Sequence, residues 1–137
     1  MEVSVVIRRP VEDVFAYLAK TENETEWQTG LIESKVISGG PVGVGSTGQD
    51  TRKSMGMTTV THWVCTDFEP SRGFSFRVTK PMRFFASYRL DPTPEGTQVT
   101  MSAQPEGFTK LVWPLIVLMG RGQYQKNFDS LKRVLEV

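Results

Sequence analysis

The single histidine, His62, and the single cysteine, Cys65, are the side chains of this chain best suited to proton exchange or nucleophilic attack near neutrality. A Ser-His-acid triad would have to use His62. That residue stands inside the strand-like run Thr61-His62-Trp63, and the chain has no G-x-S-x-G elbow to present a serine. His62 is usable as an acid or base only if it faces an interior space. One cysteine and one histidine cannot form a zinc site of Cys and His ligands, and Cys65 has no partner for an internal disulfide, so no metal is expected and a buried, inert thiol is. Gly43-Val44-Gly45-Ser46-Thr47-Gly48 matches the dinucleotide fingerprint G-x-G-x-x-G in spelling alone. The fingerprint needs a helix after it to meet the pyrophosphate, whereas Gln49 to Thr61 reads as strand, so a structural turn is expected and no cofactor is called for. Glu22, Glu24 and Glu26 alternate within a short segment and read as a solvated face with no chemistry.

Sixteen basic against fifteen acidic residues leave a net charge of +1, too balanced for a protein whose main partner is a polyanion, so nucleic acid is not expected. The length of 137 residues fits one domain, 1–137. The longest apolar stretch, Leu111 to Met119, is too short to span a bilayer and contains Pro114. The N-terminus, MEVSVVIRRP, reads as a strand and lacks the features of a secretory signal; a cytoplasmic location is the expectation.

The elements follow from periodicity. Residues 2–8 predict a strand, and residues 10–19 a helix with Pro10 at its start and Val11, Val14, Phe15 and Leu18 on one side. A second short helix is predicted over 22–28, with Thr21 as cap and Glu24 completing a capping box. Strands are predicted near 31–38, 46–54, 57–68, 73–79, 82–91 and 97–104. Their faces are clearest late in the chain, where Phe74, Phe76 and Val78, then Phe84, Ala86, Tyr88 and Leu90, then Val99, Met101 and Ala103 point one way. A long helix over about 113–135 carries Trp113, Val117, Gly120, Tyr124, Phe128, Leu131 and Leu135 on one stripe, which must pack on the apolar sheet face. The class is α+β, a curved antiparallel sheet of about seven strands on a long C-terminal helix, with two short helices after the first strand.

Several segments carry a family resemblance: Arg9-Pro10-Val11-Glu12-Asp13-Val14-Phe15-Ala16-Tyr17-Leu18, Trp27, Gly40-Pro41-Val42-Gly43-Val44-Gly45-Ser46-Thr47, Phe68-Glu69-Pro70, and the closing Leu131-Lys132 to Glu136. Together they resemble the START-like (SRPBCC) superfamily with the Bet v 1-like helix-grip fold, in its polyketide cyclase/dehydrase and lipid-transport branch. The resemblance implies a hydrophobic cavity between sheet and C-terminal helix that binds a hydrophobic or aromatic small molecule. The lining expected there is Trp63, Phe76, Tyr88, Met101, Trp113, Val117, Gly120 and Tyr124, each on an inferred inward face. The alternative the resemblance implies is a cyclase-type enzyme, with Tyr88, Tyr124, Arg77 and His62 as acid-base groups.

Gly120 and Gly122 each cost a helix about 1 kcal/mol against alanine, so something should compensate. Gly120 would leave empty volume over the sheet, where a ligand would lie; a kink or close backbone packing is the other account. Arg77 or Arg83 could meet an anionic head group at the cavity mouth. Leu115 and Leu118 fall off the stripe, which points to a homodimer contact or a transient membrane contact.

Overall fold

The computed structural model describes residues 1–137. In chain order it has β1 (Glu2–Ile7), α1 (Val11–Ala19), a 3₁₀ helix (Thr21–Glu26), β2 (Leu31–Val36), β3 (Thr47–Ser54), β4 (Met57–Glu69), β5 (Gly73–Lys80), β6 (Phe84–Thr93), β7 (Gly96–Pro105) and α2 (Thr109–Leu135). The strands form one antiparallel sheet in the order β1-β7-β6-β5-β4-β3-β2. The predicted alternation sets the inner face: Phe74, Phe76, Val78, Tyr88, Leu90, Val99, Met101 and Ala103 are all buried. α1 forms as its pattern requires, with Glu12 and Asp13 in the positive first turn and Val14, Phe15 and Leu18 buried.

Two elements differ from the sequence reading. The second helix is 3₁₀, not α, and Thr21 lies inside it; its hydroxyl reaches the neighbouring Glu22 carboxylate (3.2 Å), so no capping box forms. α2 begins at Thr109, not near Trp113, because Pro114 forfeits one backbone bond close to the helix start and the 27-residue helix runs through it. Buried Thr109 anchors that start by accepting the Arg83 backbone N–H through its hydroxyl (3.0 Å).

The two halves of α2 behave differently. Phe128, Leu131 and Leu135 are buried against the sheet, whereas between Thr109 and Asn127 no residue is fully buried. The N-terminal half therefore stands away from the strands. Its outer side, with Phe108, Leu111, Leu115, Leu118 and Met119, is exposed. No helix is long and apolar enough to cross a membrane.

The glycine-rich segment has a structural cause. Gly48 lies in β3, with no helix after it, and pairs with Trp63 of β4. A Cβ at Gly48 would fall 2.0 Å from the Trp63 ring, so glycine is what lets the indole lie across β3. Gly45, at φ +91°, supplies the turn into that strand.

Candidate functional site

Between the sheet and the raised half of α2 lies a cavity of about 260 Å³ with mostly apolar walls. Trp63, Phe76, Tyr88, Met101, Trp113, Gly120 and Tyr124 line it. Val117 does not; Ile116 takes that place, because the wall follows the 116-120-124 row of the helix. Nothing lies within 4 Å of where a Cβ at Gly120 or Gly122 would stand, so close backbone packing does not explain either glycine. Gly120 opens onto the cavity instead.

Two acid-base candidates lie elsewhere. Arg77 alternates with inward-facing Phe76 and Val78 and turns to the opposite side of the sheet, where its Nε donates to Glu106 (3.0 Å) and its guanidinium lies 5.9 Å from the Phe85 ring centre. His62 sits between Thr61 and Trp63, which both line the cavity, and so points away, towards Gln49 (3.5 Å), Thr79 and Lys80. Neither reaches the cavity. Arg83 also stays outside it. Cys65 is buried in the core, its thiol donating to the Asp67 carbonyl (3.3 Å), and burial raises its pKa, which leaves it inert.

One end of the cavity is polar, built from residues the sequence reading left out. Glu24 of the 3₁₀ helix, Gln28 just after it, and Asp50 and Arg52 of β3 stand there. The Gln28 amide joins them: its Nε2 donates to Glu24 Oε2 (3.2 Å), and its Oε1 accepts from Arg52 (2.7 Å). Asp50 Oδ1 accepts from Ser34 Oγ (2.7 Å) and Trp63 Nε1 (3.2 Å), while Oδ2 lies 3.9 Å from Arg52. The Tyr88 and Tyr124 hydroxyls bond to each other. Burial above all, then the Asp50 charge, pushes the Glu24 carboxyl up to about 8, against partial relief from Arg52 and the Gln28 hydrogen bond. Burial, again the largest cause, raises both tyrosines above the ordinary phenol value, so both keep their protons. Asp50 and Arg52 face each other as the ion pair of this end.

No cluster of three or more His, Cys, Asp or Glu is arranged to hold a metal ion. The family model for polyketide cyclase / dehydrase and lipid transport matches residues 1–136. The chain belongs to this family. Solved structures share the helix-grip fold across the whole chain. Protein NE0264 from Nitrosomonas europaea superposes with a TM-score of 0.78 at 17% identity, covering 98% of this chain and 92% of that one. Ara h 8.0201 gives 0.72 at 12% identity over 98% and 95%. StfQ, a di-domain ARO/CYC from the steffimycin biosynthetic pathway, gives 0.76 at 13% identity over 99% of this chain and 50% of that chain. The comparison with curated proteins finds no match.

Within the family fold, this member's cavity is amphipathic. Trp113, Ile116, Met82 and Phe84 make its apolar end, and the Glu24 cluster makes the other. The sequence signal for that cluster was the inward row Gly48, Asp50, Arg52 on β3, which inverts the usual apolar-in rule.

Proposed function

We propose that this protein binds an apolar small molecule in the cavity between its sheet and α2. One observation carries the reading: the N-terminal half of α2 stands off the sheet over mostly apolar walls, and glycine occupies the helix position facing that space. Apolar burial supplies affinity and the few polar groups orient the ligand. Gly120→Leu tests it. The backbone has room for a side chain, and leucine is favoured in a helix over glycine by about 0.8 kcal/mol, so the variant should fold with unchanged or higher stability. Its side chain fills a large part of the space, and binding of 2-acetylnaphthalene, followed by calorimetry or Trp fluorescence, should weaken at least about tenfold. Unchanged affinity in the folded variant would remove the ligand from this cavity.

The second reading is catalysis of the cyclase type in the same cavity, favoured by the Tyr88–Tyr124 hydroxyl pair opening onto it. A tyrosine that donates to a carbonyl oxygen activates that carbonyl for attack by an enol carbon of the same chain; ring closure with dehydration then releases one water. Mass spectrometry of a short poly-β-ketone incubated with the protein reads that loss. Under this reading Tyr124→Phe abolishes it while leaving ketone binding measurable. A poly-β-ketone recovered intact from the native protein sets the reading aside.

A further inference from the structure

We infer that the polar end of the cavity recognises a carbonyl oxygen, that of a ketone or enone carried on an apolar ring system, through the Glu24 carboxyl group with the Tyr88–Tyr124 pair beside it. The inference rests on the proposed binding function and names the chemistry the ligand must present.

Hydrogen-bond accounting at that end carries it. Glu24 is 8% exposed and lines the cavity. Its Oε2 accepts from Gln28, while Oε1 has no partner in the protein. A buried carboxyl group with one open oxygen calls for a partner from the ligand. The neighbours decide its kind. Arg52 donates one N–H to the Gln28 carbonyl and stands 3.9 Å from Asp50, so its charge is already paired within the protein, while its other N–H groups can still donate to an acceptor. Asp50 Oδ1 is already doubly bonded, to Ser34 and Trp63, and its charge is matched by Arg52. Within the tyrosine pair one hydroxyl donates to the other, which leaves a single phenolic hydrogen to point at the ligand. A carboxylic acid kept neutral by burial is itself a donor. The site therefore offers hydrogens, and the Arg52 charge is balanced by Asp50, so the ligand atom that fits is a neutral acceptor.

The charged and titratable groups around Glu24 are Asp50 and Arg52 from β3, Tyr88 from β6 and Tyr124 from α2. The tyrosines stay protonated well past the point at which Glu24 ionises. Met1 also borders the cavity, its ammonium group bonded to the Ala103 carbonyl. Above pH about 8 the Glu24 donor becomes an acceptor with a negative charge, and a carbonyl is repelled where it was held.

Three probes of similar size test this: 2-acetylnaphthalene, 2-ethylnaphthalene and 1-(2-naphthyl)ethylamine, titrated at about pH 6 and about pH 9.5. The ketone should bind about tenfold tighter than the hydrocarbon at the lower pH and lose about that factor at the higher, while hydrocarbon affinity stays level. In Glu24→Gln, whose amide donates at both pH values, the ketone preference should persist across the range. Ketone and hydrocarbon binding with equal affinity and the same pH profile would overturn the inference and leave the binding function standing. A pH dependence retained in Glu24→Gln, or the amine preferred over the ketone at about pH 6, would also overturn it. If none of the three binds, the reading beneath it fails instead.

Discussion

Truncating Phe128 to alanine should cost about 3–5 kcal/mol of folding stability, the range for removing a fully buried aromatic side chain. Phe128 has no exposed surface, and its ring centre lies 5.5 Å from that of Tyr124, 5.9 Å from Trp27 and 6.3 Å from Tyr88. It is the point where the well-packed half of α2 meets the two tyrosines that line the cavity. Its loss would leave a void beneath both members of the tyrosine pair, and the pair would lose its fixed geometry. Denaturant titration should show a lowered midpoint with an unchanged slope. Phe128→Leu, which refills most of the volume, should recover more than half of the loss and most of the ligand affinity. A loss under about 1 kcal/mol for Phe128→Ala would mean that the sheet and helix close over the vacancy, and that this contact does not hold the cavity open.

The part of the molecule that obeys a single period was legible in the sequence. Alternation fixed the inward residues of β5, β6 and β7, and the 3.6-residue stripe placed Tyr124, Phe128, Leu131 and Leu135 against the sheet. That same stripe put Gly120 over empty volume, and it failed at Val117 because the cavity wall takes in Ile116 from the adjoining row. Alternation also decides His62 and Arg77, once their strand neighbours are known to face inward. Glu24 was missed for a different reason. Read as one alternating run, Glu22, Glu24 and Glu26 form a wet face, but in a helix residues two apart stand on different sides and residues three apart share one, most closely in the 3₁₀ form. Thr21, Glu24 and Trp27 then share one side, and all three are buried. Helical in place of alternating spacing over six residues turns this carboxylate from solvent to the interior of the site.

That carboxylate should also govern how stability varies with pH. Its folded pKa, about 8, lies above the ordinary 4.5, so between those values the native state holds a proton that the unfolded chain has released. Stability therefore falls as pH rises through this window and is level, as far as Glu24 is concerned, on either side. At 1.36 kcal/mol per pKa unit the full fall is on the order of 5 kcal/mol, an upper bound because water reaching the cavity would screen the buried charge. Glu136 acts with the opposite sign at lower pH. Its pKa is lowered, mainly by its hydrogen bond from Lys132, so its contribution fades as the solution is acidified through the carboxylate range. The resulting profile should peak near the lower edge of the Glu24 window and decline towards pH 8, where many domains are still near their maximum. Glu24→Gln separates this carboxyl from every other group. Its amide keeps the shape and can still pair with Gln28, but it has no proton to lose, so the variant should match the native protein near pH 4.5 and exceed it by several kcal/mol at pH 9. Parallel stability curves for the two proteins across that range would show that Glu24 is ionised in the folded state at neutral pH, and the cavity would then present a charge where a donor is expected. A gap that opens with pH would show the opposite: burial of this acid lowers folding stability, and the cavity gains a neutral hydrogen-bond donor.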